Sequence, residues 1–150
     1  MAETISLAKQ IIINSPIRRV WQALTYPDQM PEWMAEPEMQ LSVTTDWVIG
    51  HPIIIRGLNP LPFENTGKII EFRPENILTY SHLSSISELA DISDNYTILE
   101  FELMALNEQQ TQLLLTLSNS PTAVIRKHFD LYWNGTLMLL KEFAEQTAKV

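Results

Sequence analysis

Two Ser-Pro pairs, Ser15-Pro16 and Ser120-Pro121, frame the stretch that decides what this chain can become. Between them, from Glu38 to Ser118, the pattern is one of short apolar–polar alternations separated by turn residues. A period of two is what a strand with one buried face requires. Met39–Val43, Ile53–Ile55, Gly67–Phe72, Asn76–His82, Tyr96–Ala105 and Thr111–Leu117 are six such runs. Ile5–Ile13, ahead of the first Ser-Pro pair, is a seventh, with Ile5, Leu7, Lys9, Ile11 and Ile13 on one face. Arg73-Pro74-Glu75-Asn76 and Asn107-Glu108-Gln109-Gln110 have the chemistry of hairpin turns, so the sheet is expected to be mainly antiparallel. The stretches 57–65 and 84–95 read as loops, with Leu61 and Phe63 either tucked onto the core or lying over a pocket as a lid.

Helix signals flank this block. Ser15 is a good N-cap and Pro16 suits the first helical position, where a missing N–H costs nothing. Val20, Trp21, Ala23 and Leu24 then form an apolar stripe that Tyr26-Pro27 ends. A second short helix is expected over Asp28 to Met34, burying Met30 and Trp33. Ser120-Pro121 repeats the starting signal and opens a long helix reaching about Ala148. Its apolar positions, from Ile125 through Phe129, Trp133, Leu137 and Leu140 to Ala144, make a stripe broad enough to lie across a sheet. Gly135 interrupts that helix at about 1 kcal/mol relative to alanine, and a close backbone approach or a slight bend is the expected reason. The expected architecture is one α+β domain over residues 1–150, in which a curved seven-stranded antiparallel sheet, with two short helices, encloses an apolar pocket against the long C-terminal helix.

Composition narrows the function classes. A chain of 150 residues, 45% hydrophobic and 19% charged, is ordinary globular material with one core. Its apolar runs are too short to span a bilayer, and Met1-Ala2-Glu3-Thr4 lacks the basic start of a signal peptide, so membrane insertion is not expected and a cytoplasmic setting is. The absence of cysteine removes disulfides and sulfur-based zinc sites and suits a reducing compartment. A net charge of −8, with no basic cluster longer than Arg18-Arg19 or Arg126-Lys127, argues against a nucleic-acid partner.

Few residues suggest catalysis. His51, His82 and His128 are far apart and belong to no metal-binding motif, so no metal is expected. The four glycines form no phosphate cradle, and no cofactor is expected either. Glu100 and Glu102 share a strand face opposite Leu99, Phe101 and Leu103, which assigns both carboxylates to solvent. The informative set is aromatic: Trp33, Trp47, Tyr80, Phe129, Tyr132 and Trp133, joined by His82 and Thr136, since rings with polar handles suit a cavity that is apolar yet selective. Leu78, Tyr80 and His82 share one side of their strand; whether that side is concave or convex the alternation leaves open.

Pro16-x-x-x-Val20-Trp21-x-Ala23-Leu24-Thr25-x-Pro27, followed by Trp33, resembles the opening of the START-like (SRPBCC) superfamily, in the branch homologous to the activator of the heat-shock-protein-90 ATPase. Asp46-Trp47-x-x-Gly50, Gly67-Lys68-Ile69-Ile70-Glu71-Phe72-x-Pro74, Leu78-x-Tyr80 and Trp133-x-x-x-Leu137-x-x-Leu140 look like later parts of the same pattern, which covers nearly the whole chain. The Gly-Trp usual in the family's last helix is here Tyr132-Trp133, with the glycine displaced to Gly135. The resemblance implies the helix-grip fold and, first, a binder or carrier of a small hydrophobic ligand such as a lipid or an aromatic, polyketide-like metabolite. It also implies two alternatives. One is a cyclase/aromatase-type enzyme, in which His82 and Tyr80 are the catalytic candidates; the other is a stress-response module that contacts a chaperone. A monomer or a homodimer is compatible with each.

Overall fold

A computed structural model describes residues 7–147. Seven strands form one antiparallel sheet: β1 (Leu7–Ile13), β2 (Ser42–Thr44), β3 (Pro52–Leu58), β4 (Pro62–Arg73), β5 (Ile77–Ser84), β6 (Thr97–Asn107) and β7 (Gln110–Ser118). Their order across the sheet is β1-β7-β6-β5-β4-β3-β2, so after β2 each strand pairs with the one before it, and β1 joins at the far edge beside β7. Helices α1 (Ile17–Thr25) and α2 (Met30–Met34) follow β1, and α3 (Ala123–Thr147) packs against both of them and against β1.

Register fixes which residues face the helix. Leu78 lies opposite Phe101, Tyr80 opposite Leu99 and His82 opposite Thr97, while Phe101 and Leu103 face Leu115 and Leu113. These residues, with Ile13, Ile53, Ile55 and Ile69, line the concave side, and together with Trp33, Trp133, Leu137 and Leu140 they make one continuous core. The open parity of β5 is thereby settled, since His82 packs against Phe129 of α3 and so lies on the concave side. Lys9 shares that face, across from Leu115 in β7, and its ammonium reaches Asp130 and, at 2.6 Å, Asn134 on α3. A charged group therefore ties helix to sheet where an apolar contact was available.

Several local expectations need correcting. Residues 57–65 are not a loop: β3 and β4 run on until Leu58 pairs with Pro62, leaving a tight hairpin through Asn59, Pro60 and Leu61. The prolines mask this in the sequence, because Pro62 is the first residue of its strand, a place where its missing N–H is tolerated. Leu61, 76% exposed at the hairpin tip, neither packs on the core nor covers a pocket. Phe63 lies over Gly57, where a Cβ would come within 2.8 Å of the ring. Met39 belongs to a 3-10 turn, Pro37–Met39, and the strand after it is limited to Ser42–Thr44. The 84–95 stretch does connect strands, through two 3-10 turns at Ser85–Ser87 and Ser93–Asn95.

Neither Ser-Pro pair caps as expected. Pro16 itself is the N-cap of α1, at φ −60° and ψ 148°, while the fully buried Ser15 turns its hydroxyl inward without a hydrogen-bond partner among the described residues. For α3 the cap moves two residues on, where Thr122 Oγ1 accepts from the N–H of Ile125 at 3.1 Å. Gly135 is exposed, and a Cβ built there would meet nothing within 4 Å, so a close approach to the sheet is not the reason for it. Ile5 and Ser6 at one end, and Ala148 at the other, lie outside the described residues.

Candidate functional site between the sheet and the last helix

The concave face and α3 meet in a connected set of aromatic rings. Trp33 from α2 lies 6.3 Å from Trp133, which meets Phe101 edge-on at 5.5 Å, and Phe101 stacks on Tyr80 at 6.0 Å. On the helix, Trp133 meets Tyr132 edge-on at 5.1 Å, and Tyr132 stacks on His128. Phe129 completes the set by meeting His82 edge-on at 5.1 Å. These edge-to-face and offset geometries are the favourable ones for rings that carry a quadrupole. The space between sheet and helix is thus occupied by the protein's own side chains.

Polar handles distinguish this interior from a plain core. Trp33 Nε1 donates to the carbonyl of Ala23 at 2.8 Å, and Tyr132 donates to the carbonyl of Met34 at 2.6 Å. Trp133, only 2% exposed, has an indole N–H with no acceptor among the described residues. Tyr80, 3% exposed, has its pKa pushed well above the ordinary phenol range, first by burial and then by the neighbouring Tyr132. Burial likewise raises Tyr132 to about 12. The pKa of His82 falls to about 4, chiefly through loss of solvent and in part through repulsion from His128, so its imidazole is neutral at pH 7. Thr136 is buried one helical turn beyond Tyr132.

Seven of the eight residues singled out by sequence therefore gather around one interior: Trp33, Tyr80, His82, Phe129, Tyr132, Trp133 and Thr136. Trp47 does not join their ring network. It stacks on Phe72 at 5.2 Å, and Phe72 in turn meets Trp21, at another part of the same core, from a connecting segment in which its own φ is +60°. Two members of the site were missed. In the sequence Phe101 shows only as the apolar side of its strand, and His128 only as a lone histidine; register and helix packing, neither visible in a single sequence, place Phe101 within the ring set and His128, itself exposed, at its outer edge. Glu100 and Glu102 lie on the convex side, Glu102 exposed and Glu100 partly covered. The Glu100 carboxyl is raised by that cover and by the neighbouring Glu102.

Elsewhere, an open groove of about 440 Å³ lies at the β3–β4 hairpin, walled by Gln40, Arg56, Phe63 and Ser85 among others, and none of the eight residues lines it. Among the described residues no cluster of three or more histidine, cysteine or acidic side chains is placed to hold a metal ion, and no helix is long and apolar enough to cross a membrane.

An antiparallel sheet gripping a long C-terminal helix, with an aromatic interior between them, defines a START-like domain of the helix-grip class. The chain belongs to the family of activator of Hsp90 ATPase homolog 1-like proteins, whose pattern it matches over residues 14–145. It is similar to the solution structure of ChR145 from Cytophaga hutchinsonii, at 31% identity and a TM-score of 0.80, with all of both chains covered. The fold also matches protein CV1439 from Chromobacterium violaceum, at 18% identity and a TM-score of 0.80, over 93% of this chain and 96% of that one. The Aha1 dimer from Colwellia psychrerythraea gives 21% identity and a TM-score of 0.73, over 94% and 96%. No curated protein sequence matches the chain.

Proposed function

We propose that this domain binds a small, largely apolar molecule carrying a hydrogen-bond acceptor, held between the concave face and α3. One observation supports this above the others: the indole N–H of Trp133 is buried without an acceptor among the described residues. An unsatisfied buried donor costs about 1–3 kcal/mol, and a ligand carbonyl or hydroxyl oxygen placed there would recover it. Tyr80, which keeps its proton, would supply a second donor. His82, Phe129 and Tyr132 would form the wall toward the β5 end, with Trp33 and Thr136 opposite. Burying about 300 Å² of ligand surface contributes roughly 7 kcal/mol before association costs, so the apolar contact alone gives weak binding and the hydrogen bonds must add to it. The ligand must displace rings that fill the interior without it, so part of that energy goes into repacking.

Binding is favoured over catalysis because a base with a pKa of about 4 is poorly matched to proton abstraction near pH 7. A cyclase-type role would rest on His82 and Tyr80, and unchanged turnover of an identified substrate in His82→Ala and Tyr80→Phe would remove it. Family membership supports a second reading, a domain that docks on a chaperone, for which recovery of an Hsp90-type ATPase with the tagged protein is the test. A cytoplasmic setting accords with a chain free of cysteine.

The experiment is a thermal-shift screen against fatty acids, sterols, flavonoids and polyketide-like aromatics, followed by tryptophan fluorescence. A ligand that binds only the native state raises the midpoint with dose. Trp133→Phe and Tyr80→Phe are each expected to weaken a hit about five- to tenfold, the value of one hydrogen bond. No shift from any acceptor-bearing compound at its solubility limit would overturn the reading.

A further inference from the structure

The solvent side of α3 carries a pattern that the ligand site does not use. Val124, Leu131, Met138 and Leu139 are large, apolar and exposed, Leu131 by 63%, and they follow one face of the helix for about four turns. Gly135 sits in the middle of that face with open space beyond its Cα. The charges along the same face are segregated. Lys127 lies toward the N-terminal end and Glu142 toward the C-terminal end, and neither has an ion-pair partner among the described residues.

We infer that this face is a self-association surface, on which α3 of a second copy of the chain packs antiparallel with the two-fold axis at Gly135. In that arrangement a residue k positions before Gly135 faces the residue k positions after it in the other copy. Leu131 then meets Leu139, and Lys127, opposite Phe143, lies one position from Glu142. Opposite charges thus pair at both ends of an apolar centre, as an isologous interface requires. A parallel pairing would set Lys127 against Lys127 and Glu142 against Glu142, so the charge order selects one orientation. Glycine at the crossing lets the two helix axes approach closely, which gives Gly135 a reason that nothing among the described residues of one copy supplies.

Sedimentation equilibrium of the intact protein is the test. Wild type is expected to be a dimer in the micromolar range, and Leu131→Glu/Met138→Glu a monomer with an unchanged circular dichroism spectrum, since both positions are exposed in the single chain. Lys127→Glu and Glu142→Lys are each expected to weaken association about fivefold, the combined effect of two exposed ion pairs, and the double charge swap to restore it. Because the chain has no cysteine, Gly135→Cys offers a direct reading: a self-linked dimer on mild oxidation, with Glu108→Cys in the β6–β7 turn as the unlinked control. A wild type that stays monomeric up to about 1 mM, or a dimer that persists in Leu131→Glu/Met138→Glu, overturns the inference.

Discussion

His82 joins sequence, burial and pH in one side chain. It lies on the concave face of β5, and packing against Phe129 of α3 takes its imidazole out of water. With a folded pKa of about 4 against an ordinary 6.5, the unfolded chain binds a proton that the folded one refuses. The stabilisation is complete above pH 6.5 and is lost as pH falls toward 4, amounting to about 3 kcal/mol at most. Urea unfolding between pH 7 and 4 is expected to show that slope in the wild type and a flatter one in His82→Leu. Asp46, held low chiefly by its hydrogen bond to His51, acts in a lower window, below its ordinary value of 3.8. The candidate site was legible as residue types, because aromatic rings with polar handles stand out in any sequence. Which of them share a room was not. Trp47 looked equivalent to Trp33, yet a connecting segment with positive φ turns it onto Phe72.

At the scale of elements, the two informative glycines behave in opposite ways. A Cβ on Gly67 would lie 1.7 Å from the carbonyl oxygen of Ser81, because β4 is drawn against β5 there and the N–H of Lys68 bonds Ser81 Oγ at 2.9 Å. Gly67→Ala is therefore expected to cost about 3 kcal/mol or more in chemical denaturation, through forced separation of two central strands. Gly135→Ala should do the reverse and stabilise the single chain by about 1 kcal/mol, measured in dilute solution, because the position is helical, exposed and free of steric demand. Strand number, the antiparallel order and both hairpin turns at 73–76 and 107–110 were readable from alternation and turn chemistry. Helix starts and the 57–65 hairpin were not, and proline is the common cause. It signals a break wherever it occurs, but whether it begins a helix, caps one or opens a strand depends on the ψ it adopts, and tertiary packing sets that.

Across the whole molecule, the edge strand β1 is secured from two directions. It pairs with β7 on one side, and α3 reaches it through Lys9 with Asp130 and Asn134, through Lys141 with the carbonyl of Ile12, and through Glu145 with the N–H of Asn14. Lys9→Ala is expected to cost about 2 kcal/mol, the scale of hydrogen bonds to a charged group. Native-state hydrogen exchange should show the loss concentrated in β1, with β5 and β6 unchanged. The same arrangement bears on how the protein is made. β1 is synthesised about a hundred residues before β7, its strand partner among the described residues. At about 5–20 residues per second, β1 waits roughly 5–20 s with Ile11, Ile12 and Ile13 uncovered. The sheet can close at this edge only once β7 has been made, so for that interval the nascent chain presents a sticky, unpaired strand to whatever holds it.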